Sequence, residues 1–181
     1  MTFEINSSEI PHIRFTAGDR VYLSGRIYTA RDAAHKQLLE LTCRDEKLPF
    51  KISGASIYYA GPTPSKNGMP VGSCGPTTSG RMDSFTPKLL DMGLASMIGK
   101  GRRSPEVVEA IRRNNSVYFA ATGGAGALIA KCVLSAKEIA FEELGCESIK
   151  ELTVERLPLI VAIDAYGGNL FESEAAKFAA G

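Results

Sequence analysis

"ASMIGKGRRSPEVVEAIRRNNSVYFAAT", Ala95 to Thr122, holds two short apolar runs on either side of one amphipathic run. Ala95–Gly101 and Ser116–Thr122 show no apolar–polar alternation, which reads as strands buried on both faces. Between them, Ser104–Asn114 carries the start signals of a helix. Ser104 suits the N-cap, Pro105 the first helical position, and Glu106 the positive end of the helix dipole. A strand, a Gly-rich turn, a helix and a second strand make a unit of an α/β domain.

The same grammar extends in both directions. On the N-terminal side, Met82–Gly93 reads as a short helix closed by Gly93. Ser65–Gly80 is a long irregular loop, and Ala55–Pro64 is a strand running into a Pro/Gly turn. Arg31–Leu41 is helical, with Ala34, Leu38 and Leu41 on one face. Arg20–Ala30 alternates Val21, Leu23 and Ile27 with polar residues, as in a half-buried strand or hairpin. On the C-terminal side, Gly123–Val133 opens as a glycine turn and becomes a helix. Then "KEIAFEEL", "LTVERL" and "PLIVAIDAYGGNLF" predict three further strands, the last turning at Tyr166–Asn169. The expected fold is a layered α/β domain occupying 1–181. About 1–19 reads as an N-terminal extension, and about 172–181 as a frayed helical tail.

A chain of 181 residues with 44% hydrophobic and 23% charged residues can bury a core of its own. Its formal charge of +1 gives no electrostatic case for nucleic acid or an anionic membrane. No apolar run reaches the length of a membrane span. The start, "MTFEINSSEI", lacks the basic-then-apolar pattern of a secretory signal, so a cytoplasmic, reducing setting is expected. Cys43, Cys74, Cys132 and Cys146 form no CxxC pair and only two histidines are present, so no metal site is expected on this chain.

Candidate functional residues cluster at the turns. Arg31 follows a strand and starts a helix, Arg81 ends the long loop, and Lys100 and Arg102 lie in the "GKGRR" turn. Strand ends of an α/β sheet share one edge, where ligands bind. Each cation taken alone reads first as a solvated surface charge, but the set of them beside glycine turns suits a small carboxylate or phosphate. Thr77 and Thr78 precede Arg81. A threonine there either bonds its own backbone in a turn, or serves as a base if neighbouring cations stabilise its alkoxide. His35 lies one helical turn beyond Arg31, placed to orient a ligand or a neighbouring carboxylate. Asp32, Asp83 and Arg102 are supporting candidates, Asp83 as a local cap or ion pair. A Cys74 nucleophile with His35 as its base is a further reading, without a signature around it. "GGAGAL" lacks dinucleotide-binding or P-loop spacing. It reads as tight strand-to-helix packing or as an anion-binding nest.

Taken together, "GPTTSGRMDSF", "SMIGKGRRS", "YTARDAAHK" and "DAYGGNLF" resemble the class I, iron–sulfur-dependent fumarase family, in its C-terminal region or separate β subunit. The closely related L-tartrate dehydratase β subunit is similar too. The resemblance runs from about Arg20 to Phe171, with a slightly shorter Arg81–Lys100 segment and an added arginine, Arg103. It implies a swivelling β/β/α domain and a hydro-lyase acting on fumarate and malate, or alternatively on tartrate. It implies a [4Fe–4S] cluster held by a partner α subunit in an α2β2 assembly, and a β subunit inactive alone. It implies Thr77 as the general base and Arg31, Arg81 and Lys100 as ligands of the dicarboxylate substrate. A non-catalytic dicarboxylate-binding module is the alternative of a different class.

Overall fold

A computed structural model describes residues 1–65 and 68–173. Seven strands form one sheet: β1 (Thr2–Asn6), β2 (Arg20–Thr29), β3 (Ser56–Tyr58), β4 (Ser96–Gly99), β5 (Val117–Ala120), β6 (Val133–Ala140) and β7 (Ile149–Ile163). The α-helices set beside them among the described residues include α1 (Asp32–Cys43), α2 (Thr86–Asp91), α3 (Pro105–Arg113) and α4 (Gly126–Ala130). Strands β2, β3, β4 and β5 are parallel neighbours in that order. Antiparallel β7 pairs with both β5 and β2, so the sheet closes on itself. The expected mixed α/β domain is thus built on a closed sheet, and the length of β7 makes the closure possible. Its last residues pair with β5 while Lys150–Ile160 pair along β2.

That long strand also merges two expected ones. "LTVERL" and "PLIVAI" are consecutive parts of β7, joined through a bulge. Arg156 adopts a left-handed conformation (φ 50), and the pairing with β2 shifts register between Leu157 and Val154. The buried positions accordingly change from Leu152 and Val154 to Leu157, Leu159 and Val161. One extra residue reverses the side on which every later residue faces. Pro158, which has no N–H for the ladder, sits just after this irregularity.

Two apolar cores result. Val21, Leu23 and Ile27 of β2 pack with Tyr58, Ile98, Phe119 and the buried β7 residues inside the closed sheet. On the other face, Ile57, Met97 and Tyr118 pack against Leu38 of α1, Leu90 of α2 and Ile111 of α3. Burial on both faces explains why β4 and β5 are continuously apolar. The N-terminal segment is part of this structure and not an appended extension. β1 pairs with β2 over Thr2–Asn6, and Ile5, Ile10 and Phe15 join the inner core. The expected tail lies outside the described residues beyond 173. No helix among the described residues is long and apolar enough to cross a membrane.

Candidate active site

The parallel strands β2 to β5 end on one edge, and their register aligns the ends. Thr29 lies opposite Tyr58, Tyr58 opposite Ile98, and Gly99 opposite Ala120. The residues just beyond these ends are Arg31, Gly61, Lys100 and Gly123. The long loop is less irregular than its composition suggests. Its two arms pair as a hairpin, with Thr63 bonded to Ser73 and Gly72 and with Pro76 opposite Ala60. The returning arm then crosses the strand ends. The Thr77 N–H donates to the Tyr59 carbonyl (2.7 Å), Thr78 bridges Lys100, and the Ser79 N–H donates to the Lys100 carbonyl (2.9 Å).

Glycine serves this crossing by letting backbone meet backbone. A Cβ on Gly126 would lie 3.1 Å from the Gly75 nitrogen and 2.5 Å from Ser73 Oγ. The Cys74 N–H donates to the Gly126 carbonyl (3.0 Å) across the same contact. The "GGAGAL" turn therefore packs strand, helix and arm together, and α4, with only five residues, opens no long helix toward a ligand. Gly99 is equally constrained, since a Cβ there would lie 2.1 Å from Ser79 Oγ.

Thr77, Arg81 and Lys100 lie on this rim. Thr77 is half-buried, whereas Arg81 and Lys100 are exposed, as is Arg102. None of these three cations has an ion-pair partner among the described residues. The Lys100 side chain leans over the glycine turn, its Cδ 3.6 Å from where a Gly123 Cβ would be. Arg31 stands two strands away, about 10 Å by strand spacing. It is engaged by acids: Nη2 lies 2.9 Å from Glu147 Oε1, and Nε lies 3.8 Å from Asp32 Oδ1.

His35 differs from expectation. It is fully buried under Tyr59 and Phe85, and its Nδ1 lies 2.8 Å from the Arg31 carbonyl oxygen. Nδ1–H is the donor in that pair, so Nε2 is the bare nitrogen. Burial, aided by the Arg103 charge, lowers its pKa to about 4 against the carbonyl bond and Asp32, which raise it. It is a neutral anchor for the start of α1, and it does not reach a ligand through a charged ring. Nε2, together with Arg31 Nε and Asp32 Oδ1, is buried and without a hydrogen-bond partner among the described residues.

Asp83 also differs: its partner is not local. Oδ1 accepts from Arg103 Nε (2.7 Å) and Oδ2 from the Ser104 N–H (2.7 Å). Ser104 is the N-cap residue of α3 but makes no side-chain cap bond, so the Asp83 carboxylate covers that helix end instead. Arg103, which the sequence marks only as an added arginine without a role, is the residue that Asp83 meets. Its side chain has no exposure and donates from Nη2 to Thr86 Oγ1 (2.9 Å), lying over the rings of Tyr59 and Tyr118. Burial works against its charge, but Tyr59, Asp83 and Tyr118 together leave its pKa above the ordinary value. Ser79 donates to the Tyr118 hydroxyl (2.8 Å), which donates to the Gly101 carbonyl (2.9 Å). These bonds lock the Arg81 turn to the Lys100 turn. Their only sequence signal is the second arginine of "GKGRR".

Cys74 turns into the inner core, where burial pushes its thiol up to about 12, and His35 belongs with the other core. A thiolate nucleophile there is unsupported. Cys43 and Cys146 are exposed, and no group of three His, Cys, Asp or Glu side chains gathers among the described residues. The described residues of this chain thus do not fit an iron–sulfur cluster.

A family model for the fumarase C-terminus matches residues 4–174. The chain belongs to the fumarase C-terminus family. The match begins within β1, in keeping with that strand's place in the sheet. A candidate L(+)-tartrate dehydratase subunit beta of Methanocaldococcus jannaschii is 39% identical over 88% of this chain and 85% of its own. The anaerobic class I fumarate hydratase of Escherichia coli is 37% identical over 88% of this chain but only 29% of its own length. The L(+)-tartrate dehydratase subunit beta of the same organism is 34% identical over 99% of this chain and 89% of its own. This fumarase C-terminus domain thus spans most of the separate subunits and under a third of that fumarate hydratase. In "DAYGGN", Asp164 accepts from the N–H groups of Tyr166, Gly168 and Ala17, so this stretch ties the C-terminal turn to the segment before β2.

Proposed function

We propose that this chain is the β subunit of an iron–sulfur hydro-lyase that interconverts fumarate and L-malate. A cytoplasmic setting and an α2β2 assembly with a cluster-bearing α subunit belong to the same reading, as does a swivelling β/β/α domain. The observation that carries it is the returning loop arm, which crosses the ends of β3 and β4 and shares one rim with Lys100 through Thr78 and Ser79. A threonine with cations beside it on a solvent-facing rim suits proton abstraction next to a carboxylate.

In this reading Arg81 and Arg31 bind the two carboxylates of malate and fix its orientation. Thr77 Oγ1, as the alkoxide, removes the C3 proton. Arg81 and Lys100 lower the cost of that alkoxide and of the charge that builds on the adjacent carboxylate as the C–H bond breaks. Charge that develops only in the transition state is where fixed cations accelerate a reaction. Departure of the C2 hydroxyl is left to the partner's half of the site. In the reverse direction the protonated Thr77 delivers its proton to C3.

A second reading, dehydration of L-tartrate to oxaloacetate, draws on the length match to the separate tartrate dehydratase β subunits. One experiment addresses both. The chain is mixed anaerobically with an α subunit carrying its cluster and assayed with fumarate, L-malate and both tartrates. No turnover is expected from the chain alone, and hydration of fumarate from the complex. Turnover of L-tartrate in its place selects the second reading. A complex with a full cluster that converts none of them refutes the hydro-lyase reading. Saturable dicarboxylate binding by the isolated chain, with no partner co-purifying, then favours a stand-alone binding module.

A further inference from the structure

Arg31 is held on two sides before any ligand arrives. On one side its Cδ and Nη1 lie against Gly61, 3.3 and 3.4 Å from where a Cβ would stand. On the other, Glu147 takes Nη2 at 2.9 Å. The glutamate comes from the turn between β6 and β7, and its place is built into the fold. Thr29, two residues before Arg31, accepts the Lys150 N–H at 3.0 Å and pairs with Lys150 in the β2–β7 register. Ser148 next to Glu147 is buried, and Lys150 Nζ donates to the Gly145 carbonyl at 3.1 Å, closing the same turn. The pairing that closes the sheet therefore also delivers Glu147 to Arg31.

We propose that Glu147 is a positioning residue, which holds the Arg31 guanidinium so that its remaining Nη N–H groups, and not the buried Nε, face the substrate. This rests on the reading of Arg31 as a carboxylate ligand. A guanidinium carries five N–H donors, and one contact to Glu147 leaves donors for a second carboxylate. An arginine without this contact must be ordered by the substrate itself, and that ordering weakens binding. Glu147 touches neither the substrate nor the proton in flight, so its effect falls on binding and not on chemistry. It also leaves the two ends of the rim unequal: Arg31 is paired, whereas Arg81 and Lys100 are not.

The test uses the assembled, cluster-loaded complex with Glu147→Ala and Glu147→Gln. The alanine variant is expected to raise KM for the dicarboxylate about 5- to 10-fold with kcat within about twofold. The glutamine variant keeps an acceptor for Nη2 and is expected to restore KM to within about twofold of the parent. A merely structural role would move both constants together and would show no rescue by glutamine. An unchanged or lowered KM in Glu147→Ala, with the parent complex active, overturns the proposal alone. A lowered KM in both variants would mean that Glu147 competes with the substrate for Arg31. A parent complex inactive on every dicarboxylate overturns the hydro-lyase reading, and this inference with it.

Discussion

Replacing Asp83 tests whether the Arg81 and Lys100 turns are held together by one buried charge. Asp83 joins three elements: Arg103 Nε at 2.7 Å, the Ser104 N–H at the head of α3 at 2.7 Å, and its own place after the Arg81 turn. Arg103 has no side-chain exposure, and Asp83 has 15%. Removing one partner of such a pair leaves a buried charge without its counter-charge, which costs about 3 to 5 kcal/mol. Residual contact of Asp83 with water places the expected loss for Asp83→Ala near the lower end, about 3 kcal/mol. With a urea m-value of about 2 kcal/mol/M, the midpoint falls by about 1.5 M. Arg103→Met alone should cost a similar amount, because it leaves Asp83 and Thr86 without their donor. The double variant should cost at least about 2 kcal/mol less than the sum of the singles, since neither charge is then left without its counter-charge, while the Ser104 N–H and Thr86 still lose their partners. Chemical denaturation of the four proteins, with m checked for constancy, measures this. A midpoint for Asp83→Ala within about 0.3 M of the parent, or additive single losses, would refute the argument. The pair would then be a surface-like ion pair, whatever its distance.

Three other outcomes follow from the same geometry. Thr77→Ala in the assembled complex should lower kcat about 100-fold or more with little change in KM, whereas Arg81→Ala should damage both; equal, small effects in steady-state assays would make the loop structural only. His35, with a folded pKa of about 4 against 6.5 in the unfolded chain, favours the folded state fully above pH 6.5 and loses that contribution as pH falls toward 4. The loss reaches about 3 kcal/mol across that window, and the pH dependence of urea midpoints should be flatter there in His35→Gln; parallel curves would contradict the assignment. Gly99→Ala drives a methyl into Ser79 Oγ, 2.1 Å from the ideal Cβ position, and should cost about 1 to 3 kcal/mol. That loss should be visible as a drop of several degrees in Tm.

Local order was legible because it is written in neighbouring residues. Pro105 and Glu106 mark the start of α3, Gly93 adopts φ 91 after α2, and the unbroken apolar runs of β4 and β5 announce strands covered on both faces. The unusual string from Gly75 to Asp83 pointed to a family without any geometry, and its threonine and arginine lie where the strand ends meet. Tertiary structure decided everything that depends on partners far apart in sequence. Whether "LTVERL" and "PLIVAI" were two strands or one turned on a left-handed Arg156 and on β2 as a template, and neither is encoded in period. His35 kept its helical spacing from Arg31, but the fold put it in a core, where desolvation removed its charge. Asp83 found Arg103, and Arg31 found Glu147, because register brings distant residues to one edge. Side-chain type and spacing prescribe what a segment can do, while closure of the sheet through β7 sets which segments meet, and ion pairs and burial follow from that meeting.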